Sequence, residues 1–241
     1  MLGRVLRSGL LVLMAGTFLH ANDIDGTIVV QHKLTKRKVT GPADLYQRGA
    51  AVQLGADREQ DPLAWERSHV VVYVEGDLPS GPPSSQTASP VTAELAQQDR
   101  RFDPDLVVVP AGSTVSFPNM DPIFHNVFSL SKAKSFDLGN YPQGKTRTVV
   151  FPKPGIVFVD CHLHPNMSAV IVVTPNRWST RADASGRFVL PDLPPGTYTV
   201  VAWHKTAGFF RKTVRVSDTG NAAVSFVIPL GEDGTFQEAR K

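Results

Sequence analysis

Residues 155–167 read GIVFVDCHLHPNM and place a strongly β-forming run directly before a cysteine, two histidines and a methionine. On both sides of this stretch the chain repeats short apolar runs, separated by turns that contain proline or glycine. Such closely spaced runs predict the strands of an all-β sandwich or barrel. The strands predicted in this central part are 105–109, 113–117, 124–130, 146–151, 155–161 and 168–174.

The two ends of the chain continue the pattern. No helical periodicity extends beyond about three turns, and one short helix is predicted near residues 43–54. The fold class predicted for the whole chain is therefore all-β. The strands predicted in the flanks are 24–30, 69–75, 187–190, 196–203, 210–216 and 223–228.

Composition indicates a globular protein and argues against nucleic-acid binding. The 241 residues are 41% hydrophobic and 20% charged, which allows one large domain or two small ones. The formal charge is +3, but Arg4 and Arg7 lie in the leader, and without them 23 basic residues face 22 acidic ones. No stripe of Lys and Arg interleaved with aromatic residues is present, so we expect no nucleic-acid partner.

The first 21 residues have the order of a secretory signal peptide. Residues 1–7 are basic, residues 9–19 are apolar, and Ala21 precedes a polar stretch. The apolar run is too short for a membrane span, which needs ~20 residues. We therefore expect a periplasmic protein with no membrane span in the mature chain. Leu19 fits the cleavage rule poorly, so a retained leader stays open as an alternative.

Cys161 is the single cysteine, so no disulfide can form within the chain. A free thiol in an exported protein is exposed to oxidation unless something protects the sulfur, and a metal would do so. One thiolate, two imidazoles and a long axial thioether form a ligand set suited to copper. The spacing provides Cys161 at a strand end, His164 in the following turn, Met167 at the next strand and His125 from a distant strand.

Other interpretations of this cluster remain open. They are a zinc site, a cysteine nucleophile with a histidine base, and a buried cysteine with chance neighbours. No paired carboxylates, Gly-x-Ser-x-Gly motif, phosphate-binding glycine loop or Cys-x-x-Cys motif is present, so we expect no enzyme.

Residues 102–174 resemble the amicyanin and pseudoazurin branch of the cupredoxins. The matching motifs are Cys161-x-x-His164-x-x-Met167, His125-Asn126-Val127, Val109-Pro-Ala-Gly112 and Thr114-Val-Ser-Phe117. The resemblance implies a Greek-key β-sandwich, one type 1 (blue) copper per chain, and single-electron transfer between redox protein partners. It also implies that Asn126 ties the two ligand loops together and hydrogen-bonds the cysteine sulfur. His162, in the gap between two ligands, departs from the family pattern.

A second stretch, GRFVLPDLPPGTYTV at residues 186–200, is similar to the carboxypeptidase regulatory-like (transthyretin-like) β-sandwich. Strands 24–30 and 69–75 resemble the first strands of that fold, so we expect strand 69–75 to pair with C-terminal strands. The predicted organisation is a signal peptide at 1–21, a discontinuous regulatory-like sandwich at 22–78 and 178–241, a linker at 79–100, and a cupredoxin domain at 101–177.

The favoured hypothesis is an exported electron-transfer protein with His125, Cys161, His164 and Met167 as copper ligands. One alternative is a periplasmic copper carrier or storage protein. Another is a structural or adhesion sandwich module with an accessory copper site. A catalytic copper with an open position would need further ligands, for which only His162 and His204 are available.

Overall fold

The computed structural model describes residues 22–35, 61–76 and 89–229. The predicted signal peptide, the predicted helix at 43–54 and the linker part at 79–88 lie outside the described residues. Within these ranges the all-β prediction is confirmed, because α1 (Ala64–Ser68) is the one helix and has five residues. No helix in the described part of the chain is long and apolar enough to cross a membrane.

Residues 92–174, here called the central unit, form two main sheets that enclose one apolar core. The strands are β3 (Thr92–Glu94), β4 (Ala96–Gln98), β5 (Arg101–Asp103), β6 (Leu106–Pro110), β7 (Ser113–Pro118), β8 (His125–Ser131), β9 (Lys134–Tyr141), β10 (Thr146–Phe151), β11 (Gly155–Asp160) and β12 (Ser168–Thr174). The larger sheet has the order β6-β12-β11-β8-β9, the smaller has the order β10-β7-β3, and β4 pairs with β5. Because alternate residues of each strand point inward, Phe117 and Phe151 of the smaller sheet meet Val127, Val159 and Ile171 of the larger one.

The remaining strands, with α1, form what we call the flanking unit. They are β1 (Asn22–Val30), β2 (Val70–Glu75), β13 (Ser179–Arg181), β14 (Arg187–Leu193), β15 (Gly196–His204), β16 (Gly208–Val216) and β17 (Ala222–Ile228). They make two sheets with the orders β14-β1-β17 and β13-β2-β15-β16. Residues such as Ile24, Leu190, Val200 and Phe226 fill the core of this unit.

Strands from both ends of the sequence build the flanking unit. β2 lies between β13 and β15, with Val72 opposite Ala202. This is the pairing with C-terminal strands that the sequence predicts for residues 69–75. β1 runs antiparallel to β14 and parallel to β17, with Ile28 opposite Phe226. The central unit therefore begins and ends next to strands that hydrogen-bond to each other.

The two units pack sheet against sheet. Val71 and Trp203 of the flanking unit meet Leu106, Val170 and Val172 of the central unit in a separate buried cluster. All five side chains are almost fully buried, so apolar burial stabilises this contact. The outer face of the larger central sheet is thus partly covered.

The predicted linker, residues 79–100, extends too far toward the C-terminus, because residues within it form strands. Residues 92–94 form β3, which runs parallel to β7 with Ala93 opposite Val115, and residues 96–98 form β4. Leu95 between them is fully buried in the central core. The segment contains few apolar residues, so its strand pattern is weak in the sequence, yet pairing with an existing sheet edge orders it.

Candidate metal centre

Three of the predicted ligands meet at one end of the central unit. The Nδ1 atoms of His125 and His164 are 3.1 Å apart, and the Cys161 Sγ lies 3.7 Å from the His164 Nδ1. The three candidate ligand atoms all lie within 4.8 Å of one another. His125 and Cys161 are buried, whereas His164 is half-buried. Residues separated by more than thirty positions therefore converge on one point.

The loop from Cys161 to Met167 joins β11 to β12 and is closed by its own backbone. The Cys161 N–H donates to the Met167 carbonyl at 3.2 Å, and the Met167 N–H donates to the His164 carbonyl at 2.9 Å. The Met167 side chain is buried in the same apolar core as Cys161. The structure thus places the fourth predicted ligand at the closing position of the loop.

His125 is held in one orientation by a carboxylate. Its Nε2 lies 2.7 Å from Oδ2 of Asp121. An ionised carboxylate only accepts hydrogen bonds, so Nε2 carries the proton in the neutral ring and the lone pair of Nδ1 points toward His164. Burial and the neighbouring His125 lower the pKa of His164, which favours a neutral His164 ring.

Asp121 also organises a strained turn. The N–H groups of Asp99 and Arg100 donate to its two carboxylate oxygens at 2.7 and 2.9 Å. Both residues have a φ of 54°, a conformation that non-glycine residues rarely adopt, so the carboxylate stabilises the β4–β5 turn. Burial opposes ionisation of Asp121, but hydrogen bonds from Arg100 and His125 outweigh it and hold the pKa below its ordinary value.

Replacing Asp121 by alanine should lower the affinity of the site for its metal. The change removes the acceptor that orients His125, and loss of such a partner costs about tenfold in metal affinity. Affinity is measured by competition with a chelator. Asp103→Ala, at an exposed position of the adjacent β5, is the matched control and should leave the affinity unchanged. Equal affinities for both variants would contradict the positioning role.

Asn126 connects the two ligand loops. Its backbone N–H lies 3.5 Å from the Cys161 Sγ, and its side-chain oxygen lies 3.5 Å from the His162 nitrogen. Its side-chain amide donates to Asp137 at 2.7 Å. The contact with sulfur thus comes from the backbone, while the side chain links to the loop that carries Cys161 and His164.

Two further histidines lie apart from the three converging side chains. The His162 ring is 56% exposed and stacks on Phe128, with ring centroids 3.7 Å apart and planes 5° from parallel. His204 is buried in the flanking unit beside Glu66. Neither belongs to the group of candidate ligands.

The donor set fits a soft or borderline transition metal. The Nδ1 atoms of His125 and His164 lie 3.1 Å apart, so a proton carried by one of them, or a cation bound by both, can lie between them. A thiolate beside them adds a soft donor, a combination that suits copper or zinc. The site therefore has the chemistry of a His-Cys-His metal centre.

Sequence reasoning did not identify Asp121 as part of this site. Asp121 lies four residues before His125, but in an irregular loop this spacing does not determine whether the two side chains meet. The contact depends on the turn at Asp99 and Arg100, which is remote in sequence.

No protein-family model matches this sequence, and no curated protein matches it. Solved structures resemble part of the chain. A purple cupredoxin from Nitrosopumilus maritimus is 22% identical, with a TM-score of 0.31, over 34% of this chain and 99% of that one. Amicyanin from Paracoccus versutus is 18% identical, with a TM-score of 0.33, over 43% of this chain and 97% of that one.

A copper-containing nitrite reductase from Thermus scotoductus SA-01 is 23% identical, with a TM-score of 0.34, over 40% of this chain and 27% of that one. The chain therefore spans about a quarter of the length of that enzyme. All these scores are low, so the function proposed below depends on the contacts of the site itself.

Proposed function

We propose that this chain is an exported, periplasmic cupredoxin-like protein that carries one type 1 copper and transfers single electrons between redox partners. His125, Cys161 and His164 would hold the copper, and the Met167 thioether would be its weakest donor. The observation that carries the proposal is the convergence of two imidazole Nδ1 atoms and one thiol sulfur within 4.8 Å. Copper, when bound, supplies the one-electron change between its two oxidation states.

The chain contributes a set of donors that is fixed in advance. Asp121 holds the ring of His125, the Asn126 N–H points to the Cys161 sulfur, and the closed hairpin loop holds His164. Side chains locked by neighbouring hydrogen bonds keep one geometry in both oxidation states. Electron transfer then requires little rearrangement of the protein.

His164 is the candidate ligand that a partner protein could approach most closely. This ring is half-buried, while the other three candidate ligands are buried. Large apolar side chains next to ligands in sequence, Phe124 and Leu163, are exposed. An apolar rim around a partly exposed ligand suits a transient contact with a redox protein, because such contacts are small and need little specific pairing.

Two other functions fit the site less well. A copper carrier needs exchangeable ligands, but His125 and Cys161 are almost completely buried. A copper enzyme needs an open coordination position or a second metal, and His162, the nearest further histidine in sequence, lies outside the group of converging donors. We therefore propose a non-enzymatic role. Rapid loss of copper to a competing chelator would instead favour the carrier.

The direct experiment is a visible spectrum during titration of the full-length chain with Cu(II). We expect an intense thiolate-to-copper charge-transfer band that saturates at one equivalent. Titration with Zn(II) is the control and should give no colour. Saturation without an intense band would exclude a type 1 site.

Met167→Leu should keep the intense colour and raise the reduction potential. The thioether donates some electron density that stabilises Cu(II), and an aliphatic side chain of similar volume removes that donation while filling the core. The potential is measured by equilibrium redox titration. His162→Ala is the control, and it should change neither the colour nor the potential because His162 lies outside the ligand group. An unchanged potential in Met167→Leu would remove Met167 from the ligand set.

A further inference from the structure

Part of the contact between the two units is polar, and it lies at the base of the loop that carries Cys161 and His164. Asp160 of β11 is opposite Ser168 of β12 in register, so this pair closes the hairpin directly below the loop. The Lys205 Nζ of the flanking unit lies 3.5 Å from the Ser168 Oγ. The flanking unit therefore places an ammonium group next to the pair of residues at which the ligand loop begins and ends.

The turn that carries Lys205 is fixed from within the flanking unit. Residues 205–207 join β15 to β16, and the His204 Nδ1 accepts the N–H groups of Thr206 and Ala207 at 3.3 and 3.4 Å. The His204 side chain is completely buried. A buried ring thus sets the backbone position of Lys205, although Lys205 itself is exposed.

The positive charge of Lys205 acts on two carboxylates of the central unit. Burial raises the pKa of Asp160, and the charge of Lys205 opposes that rise. The His69 Nε2 lies 3.0 Å from the Asp105 Oδ1, and this hydrogen bond lowers the pKa of Asp105 against the effect of burial. The charges of Lys205 and Arg181 lower it further. The contact therefore brings cations of the flanking unit to acids of the central unit.

We propose that the flanking unit modulates the metal centre by charge, with Lys205 as the residue that disfavours the more highly charged state of a bound ion. With copper in the site this raises the reduction potential, because the oxidised ion carries one more positive charge than the reduced ion. The inference rests on the proposed function and gives the flanking unit a part in it. Lys205 gains or loses no electron itself, and no bond forms or breaks.

Two observations distinguish Lys205 from other cations of the surface. It contacts the residue that directly follows Met167, whereas Lys153 lies in the turn before β11, at the opposite end of that strand from Cys161. Its turn is also held by a buried ring, so the charge stays near one place. A unit charge about 10 Å from another, in a medium between protein and water, changes an equilibrium of this kind about threefold.

The test is an equilibrium redox titration of the full-length, copper-loaded chain at low ionic strength. Lys205→Met should shift the equilibrium about threefold toward Cu(II), and Lys205→Glu about ninefold, because the charge change is twice as large. Lys205→Arg keeps the charge and should match the parent. Lys153→Met, the matched control at another exposed lysine, should also match the parent. The absorption band should stay constant, and the shifts should shrink at high salt.

A second measurement needs no copper. The affinity of the same variants for Zn(II) is measured by competition with a chelator. It should rise in Lys205→Met and rise further in Lys205→Glu, because each change removes repulsion of a divalent cation. Lys205→Arg and Lys153→Met should keep the affinity of the parent.

Several results would overturn the inference. Lys205→Met could have the same potential as Lys153→Met. Lys205→Met and Lys205→Glu could shift the potential equally, or Lys205→Arg could behave like Lys205→Met, and either result would mean that the lysine acts by packing rather than by charge. A constant Zn(II) affinity through the series would also contradict it. Absence of the band in the parent would instead reject the proposed type 1 copper, and the Zn(II) series would then decide whether Lys205 acts on the metal centre by charge.

Discussion

Cys161→Ser should abolish the intense visible absorption of the copper-loaded chain. The band arises from charge transfer out of a thiolate, and a serine hydroxyl is a harder donor that stays protonated near neutral pH. Because Cys161 is the single cysteine, no other thiolate can replace it. The variant should also bind copper more weakly, since a soft ligand is lost. Absorption spectra recorded during a Cu(II) titration measure both effects.

A matched control comes from another sulfur residue near the site. Met120, in the loop before His125, is exposed, and Met120→Leu should leave the band unchanged. A band that survives in Cys161→Ser would contradict the assignment. Loss of copper in His162→Ala with retention in His125→Ala would also contradict it, and would move the site to the run from Cys161 to His164.

The sequence predicts most of the central unit because its long strands alternate strongly. In β7, for example, buried Val115 and Phe117 alternate with partly exposed residues, which is the pattern of a strand with one face in a core. The ligands Cys161 and His164 are close in sequence, so a single hairpin loop brings them together. Their spacing therefore identifies most of the site, and His125 completes the ligand set as the second imidazole, from a distant strand.

Several strands could not be predicted, for physical reasons. β9 lies at the edge of the larger sheet, and its residues are mostly exposed or half-exposed, so it needs no apolar alternation. β13 has three residues, and its pairing with β2 rather than its composition orders it. Edge strands depend on a partner strand that local sequence does not reveal.

The hydrogen bonds that hold the site also depend on long-range contacts. Asp121 contacts Asp99 and Arg100 in the turn that joins the paired strands β4 and β5. The isolated bridge between Gln97 and Asn119 brings the two segments side by side. A prediction from local pattern therefore finds the ligands but not the residues that orient them.

The flanking unit contains a buried carboxylate that should contribute to its stability. Glu66, in α1, is 1% exposed. One of its oxygens accepts the N–H groups of Leu34 and Thr35 at 3.1 and 2.8 Å, and the other accepts the Thr35 hydroxyl at 3.0 Å. The second oxygen also lies 3.1 Å from the His204 Nε2. Glu66 thus fixes the segment after β1 against α1 and β15.

The contact with His204 is a close approach rather than a well-formed hydrogen bond. The His204 Nε2 is buried and has no partner with hydrogen-bond geometry, while the His204 Nδ1 lies 3.3 and 3.4 Å from the N–H groups of Thr206 and Ala207. Burial lowers the pKa of His204, against the opposing influence of Glu66. The three donors from Leu34 and Thr35 are therefore the main partners of the carboxylate.

Glu66→Ala should lower the free energy of unfolding by about 2–4 kcal/mol, because it leaves buried donors without an acceptor and opens a cavity. Urea denaturation followed by tryptophan fluorescence measures the change. Glu75→Ala is the control: Glu75 pairs with Arg211 at the surface, and losing that pair should cost about 1 kcal/mol or less. Equal losses in the two variants would show that Leu34 and Thr35 find water as a substitute, and that the carboxylate is not what holds this segment in place.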